Sequence, residues 1–124
     1  MPTYFCATLE GRLTAVQKRK IASEITRVHC EVTGAPSFFA QVIFQEVKPG
    51  NYFVGGAPLK HDQLFVYGHI RSGRAAVDKS RMIAMMAKAV GDAADVENSR
   101  SVWVHVAELP RPTADREFMQ SIGK

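Results

Sequence analysis

The sequence predicts an α/β fold, a two-layer α+β sandwich built from two successive β-α-β units. Three observations point there. Four short stretches alternate apolar and polar residues with the period of a strand. Two longer stretches between them repeat apolar residues with the period of a helix. The order strand, helix, strand then occurs twice, on either side of a loop rich in glycine and proline.

The first strand covers residues 2–8. Leu13 and Thr14 open a helix, and Thr14 with Gln17 three positions later is a capping-box pair. Ile21, Ile25, Val28 and Val32 fall on one helical face, and Gly34 with Pro36 ends the helix. A second strand follows over 38–46, with Val42 and Phe44 facing one way and Gln41, Ile43 and Gln45 the other. Pro49, Gly50, Asn51, Gly55, Gly56 and Pro58 mark the central loop.

The third strand, 63–70, alternates Leu64, Val66, Gly68 and Ile70 against Phe65, Tyr67 and His69. A helix over 75–94 buries Met82, Met86, Ala89 and Ala93. The fourth strand, 101–107, sets Val102, Val104 and Val106 against Trp103, His105 and Ala107. The tail from Pro110 is polar, with a short helical turn expected at 115–121. Each strand–helix–strand crossover makes its two strands parallel neighbours with a right-handed connection. Both helices then cover one face of the sheet. Phe65, Tyr67 and Trp103 are expected to be exposed on the other, and self-association is its simplest cover.

With 124 residues and 46% hydrophobic content, the chain reads as a single domain over 1–124 with a real core. No stretch approaches the ~20 apolar residues of a membrane span, and no basic-then-apolar leader is seen. Two cysteines, Cys6 and Cys30, form no disulfide framework and fit a reducing compartment; both are expected to be buried, inert thiols. No Cys/His zinc spacing occurs, so no metal site is expected. These readings describe a soluble cytoplasmic protein without a membrane partner. The net charge of +4 comes from scattered residues without a nucleic-acid-binding motif, and suits a pocket for a small carboxylate.

Pro2 carries chemistry without a motif. Once Met1 is removed, Pro2 is a secondary amine, and an α-amino group titrates near ~8, close enough to neutrality to act as base or acid. The strand that follows sets this amine at a strand tip rather than on a frayed end.

Longer stretches carry a resemblance. GRLTAVQKRKIASEITRVH, FFAQVIFQEVKPGNYFVGG, LFVYGHIRSGR and VWVHVAELP together resemble cis-3-chloroacrylic acid dehalogenase and its relatives in the tautomerase superfamily, over nearly the whole chain up to Pro110. The resemblance implies the duplicated β-α-β tautomerase fold, a homotrimer with active sites near the subunit contacts, and no cofactor. It implies that Pro2 is the catalytic proline, that His29 helps hold a substrate carboxylate, and that Arg71 and Arg74 bind and polarise it. Without it, RSGR reads as a solvated basic loop and His29 as a structural histidine at the edge of the core.

Two departures bear on the reaction. The dehalogenase has a water-activating tyrosine where this chain has His105, and a glutamate where counting from Pro110 lands on Arg116, between Asp115 and Glu117. Trp103 and His105 complete the expected substrate-binding set, and Phe38, Phe39 and Tyr52 are further candidates for an apolar wall. A tautomerase acting on 2-oxo acids needs neutral Pro2 as base and no activated water. A hydratase or dehalogenase of three-carbon unsaturated acids needs protonated Pro2, with Asp115 or Glu117 activating water. A non-enzymatic trimeric binding protein is the third reading. Since the carboxylate clamp matches and the water-activating pair does not, the tautomerase is preferred.

Overall fold

The computed structural model describes residues 2–109, apart from the side chain of Ser99. Strand β1 (Thr3–Leu9) leads into helix α1 (Ala15–Thr33). The expected capping box starts α1: the Gln17 N–H donates to Thr14 Oγ1 at 3.1 Å, and the Thr14 N–H donates to Gln17 Oε1 at 2.9 Å. Gly34 ends the helix in the left-handed conformation, at φ 76°, which costs glycine little. The second strand starts later than expected. Pro36 at φ −65° leads into a single 3-10 turn over Ser37–Phe39, and β2 runs Gln41–Val47.

Inside the central loop, Gly55 and Gly56 both take positive φ and close a small hairpin between β3 (Phe53–Val54) and β4 (Ala57–Pro58). β5 (Leu64–Ile70), α2 (Ala76–Ala93) and β6 (Val102–Glu108) form the second unit.

The four-stranded sheet has the order β2-β1-β5-β6. As expected, β1 pairs with β2 and β5 with β6 in parallel. The units meet through β1 and β5, which are antiparallel. The start of β1 and the end of β5 therefore lie at the same end of the sheet. The opposite end is tied by Arg12, which grips Asp62 with two bonds of 2.5 and 2.8 Å and donates to the Ala94 carbonyl at 2.8 Å.

The core lies between the helices and one sheet face. Tyr4 and Cys6 meet Ile21, Ile25 and Val28 of α1, Leu64, Val66 and Ile70 of β5, and Met82, Met86 and Val90 of α2. Each of the buried isoleucine, valine, leucine and methionine side chains contributes about 1.5–3 kcal/mol of transfer free energy. Val90, one turn beyond Met86, is fully buried, whereas Ala89 is only half-buried.

On the free face Trp103 and Ile43 stay exposed. Phe65 and Tyr67 are half-buried rather than exposed, because Tyr67 stacks on Phe5 at 5.0 Å and packs on Phe65 at 5.1 Å. Cys6 is buried as expected, and burial pushes its thiol up to about 12. Cys30 is half-buried instead, since it lies beside the apolar stripe of α1 rather than on it. No helix among the described residues is long and apolar enough to cross a membrane.

Candidate active site

The site begins at one end of the sheet. The Pro2 carbonyl accepts from the Gln41 N–H at 3.0 Å, which ties Pro2 to the start of β2. Thr3 pairs with His69 across β1 and β5, so Pro2 stands level with Ile70, the residue before Arg71. Strand alternation puts Pro2 on the same side as Tyr4, the side the helices cover.

Tyr4 is completely buried, and its hydroxyl lies 2.7 Å from His29 Nδ1. The two rings meet edge to face, with centroids 5.5 Å apart. His29 is only 2% exposed, so it lies inside the core rather than at its edge. The reason is its partner: a buried tyrosine hydroxyl needs a hydrogen bond, and the last turns of α1 supply it. Tyr4 is the site residue that sequence reading missed. Its place beside Cys6 on the buried face of β1 was the available signal, because a tyrosine there demands a polar neighbour. Burial, then the Arg74 cation, hold the His29 imidazole below its ordinary pKa. Burial pushes the Tyr4 phenol up; Cys30 adds to this and Arg74 opposes it.

Arg74 reaches α1. Its Nη1 donates to the Thr33 carbonyl at 3.5 Å, at the helix end where backbone dipoles favour a cation. Arg71 is exposed, and no side-chain hydrogen bond or ion pair joins it to another described residue. Between them Gly73 adopts φ 94°, a left-handed turn that reverses the chain into α2. Glu108, which pairs with Ile70, lies beside the Gly73 N–H and bonds Lys79 Nζ at 2.6 Å. The Lys79 bond chiefly holds the Glu108 carboxyl below the usual range. α2 starts two residues after Arg74 with no side-chain cap. Two guanidinium groups and a helix N-terminus thus set a positive potential at this end of the sheet.

Other expected site residues lie elsewhere in the chain. His105 is exposed on the helix-free face opposite Tyr67, three positions back from Glu108, about 10 Å along the strand. Trp103 pairs with Phe65, about 17 Å from the Ile70 level, and its Nε1 donates to the Arg100 carbonyl at 3.0 Å. It lines a cavity with Val54, Asp62 and Asp95 at the opposite end. Tyr52 is also drawn away, accepting a hydrogen bond from Gln63. Phe38 and Phe39 are in the turn just before Gln41, and so stand near Pro2. Asp115, Glu117 and the expected turn at 115–121 lie outside the described residues.

A family model described as "Putative oxalocrotonate tautomerase enzyme" matches residues 1–117, and the chain belongs to that family. The fold and the family together make this chain a tautomerase-type enzyme. It is 39% identical over 59 residues to a protein of Bacillus cereus named "Probable tautomerase", a match covering 48% of this chain and 95% of the relative. At 59 residues, the match is about as long as one β-α-β unit with a following loop. Among solved structures, the chain resembles N1, a member of the cis-3-chloroacrylic acid dehalogenase family, with a TM-score of 0.83 and 24% identity, covering 96% of this chain and 91% of that one. It also resembles native fused 4-OT, with a TM-score of 0.80 and 17% identity over 87% of each chain. These two likenesses show the fold.

Proposed function

We propose that this chain, acting as a single domain over 1–124, is a cofactor-free tautomerase that interconverts the enol and keto forms of a 2-oxo acid. The observation that carries this reading is the convergence at one sheet end of Pro2, the buried His29 with Arg74 beside it, and the adjoining Arg71. Arg71 and Arg74 take the substrate carboxylate, each guanidinium offering a planar fork of N–H donors. The same positive potential disfavours a protonated amine nearby, so Pro2, freed of Met1, is neutral and acts as base. Pro2 nitrogen takes the enol hydroxyl proton and leaves the O–H electron pair on the enolate oxygen; that pair becomes the carbonyl π bond only as the C=C pair bonds a proton. The C=C pair then takes that proton from the prolinium at the adjacent carbon. The arginines stabilise the charge that develops on the enolate oxygen. Atoms balance without water or cofactor.

The assembly belongs to the same proposal. A homotrimer would cover the face bearing Trp103 and Ile43, and a fused 4-OT similar to this chain is described as an asymmetric trimer. The test is Pro2→Ala, assayed on the enol of phenylpyruvate by loss of its ultraviolet absorbance, in protein whose intact mass shows Met1 removed. Loss of activity supports the proposal, and undiminished activity overturns it.

A further inference from the structure

We propose that Tyr4 is a positioning residue that locks His29 in the Nε2–H tautomer, so that His29 presents a hydrogen-bond donor to the substrate carboxylate. The inference rests on the reading of His29 as a carboxylate ligand and adds how the ring is made fit for that task.

The Tyr4 hydroxyl carries one hydrogen and has two acceptors in reach, His29 Nδ1 at 2.7 Å and Met82 Sδ at 3.6 Å. A short bond to an imidazole nitrogen far outweighs a long one to a thioether, which is a weak acceptor. Were the ring hydrogen on Nδ1, the Tyr4 oxygen would accept it and the hydroxyl proton would be left to the long Met82 contact; donation to Nδ1 places the hydroxyl proton in the short bond instead, so Nδ1 offers its lone pair. A neutral imidazole then carries its own hydrogen on Nε2.

The packing holds this arrangement. The Tyr4 ring fills the space above Gly68, its direct partner across β1 and β5, and is shut off from solvent. Its edge-to-face contact fixes the imidazole plane. Among the described residues, the titratable groups around His29 are Tyr4 from β1, Cys30 from α1 and Arg74 from the loop after β5; Met82 of α2 adds only a thioether. No carboxylate is among these neighbours to draw a second proton onto the ring. Among the described residues, no buried side-chain nitrogen or oxygen lacks a partner, and Nε2 bonds none of them. The small exposed part of His29 is thus assigned to Nε2. An N–H there, beside Arg74, extends the anion site.

The experiment is ¹⁵N NMR of histidine-labelled protein above neutral pH, where the two ring nitrogens of each tautomer have distinct shifts. The wild-type protein should show His29 with a protonated Nε2 and an unprotonated Nδ1; the reverse pattern overturns the proposal and needs no variant. Tyr4→Phe keeps the ring and removes the donor. It should yield a mixture of tautomers and a KM for the enol of phenylpyruvate raised roughly threefold to tenfold, with kcat little changed. An unchanged tautomer in Tyr4→Phe also overturns it. His29→Leu tests the underlying reading separately: an unchanged KM there removes His29 from carboxylate binding, whatever its tautomer.

Discussion

Tyr4 occupies the space that a side chain on Gly68 would need. The two residues are cross-strand partners in the antiparallel pair of β1 and β5, and a Cβ built on Gly68 would stand 2.5 Å from Tyr4 Cδ1. A glycine inside a strand often marks such a close approach. Gly68→Ala must therefore move a fully buried ring that holds His29, and overpacking of this kind costs about 1–3 kcal/mol. The urea midpoint should fall while the m-value stays constant. An unchanged midpoint would show that the ring has room to shift.

The protonation state of Pro2 separates two reactions. With Arg71, Arg74 and the start of α2 at the same sheet end, its amine should titrate below the ~8 of a free terminus. A ¹⁵N titration of protein lacking Met1 measures this directly. A raised value would make Pro2 a standing acid, and would favour a hydratase or dehalogenase with Asp115 or Glu117 activating water.

The two arginines should respond differently. Arg74→Lys keeps the charge but loses the planar fork, and a shorter polar reach loosens the contact with Thr33. A fall in kcat/KM of about tenfold to a hundredfold is expected, the size of one or two charge-assisted hydrogen bonds. Arg71→Ala removes an exposed side chain, so KM should rise while the melting temperature stays near that of the wild type. Unchanged kinetics in both variants would show that the carboxylate binds elsewhere.

His29 gives stability a pH dependence of known sign. Its folded pKa lies below the ordinary 6.5, chiefly through burial. As pH falls through 6.5 the unfolded chain takes up a proton before the folded one does. The contribution of neutral His29 is therefore complete above this value and is lost progressively down to the folded pKa. Denaturation midpoints measured across that window should decline more steeply for the wild-type protein than for His29→Leu. Parallel slopes would show that His29 titrates normally.

Asp62 acts lower on the scale. The bidentate bond from Arg12 holds its carboxyl below the ordinary 3.8, so its stabilising effect is present above that pH and lost as pH falls through the folded pKa. Both side chains are partly exposed, so Asp62→Asn should cost only about 1 kcal/mol at neutral pH, and the difference should shrink in acid.

What the sequence determined was local. The Thr14–Gln17 cap, the Gly34 stop, the buried alternation of Leu64 through Ile70 and the two parallel strand pairs all depend on residues within one helical turn, one pleat or one crossover. The whole-chain resemblance added the proline, the histidine and the arginine loop as candidates. Tertiary structure decided the rest. Periodicity does not say that β1 and β5 meet antiparallel, and that pairing sets Pro2 level with Ile70 while leaving Trp103 near the other end. Nor does it say that Tyr4 bonds His29 across 25 positions of chain. A period states which face of an element is buried; which buried group on the next element it meets is settled only when both units pack into one core.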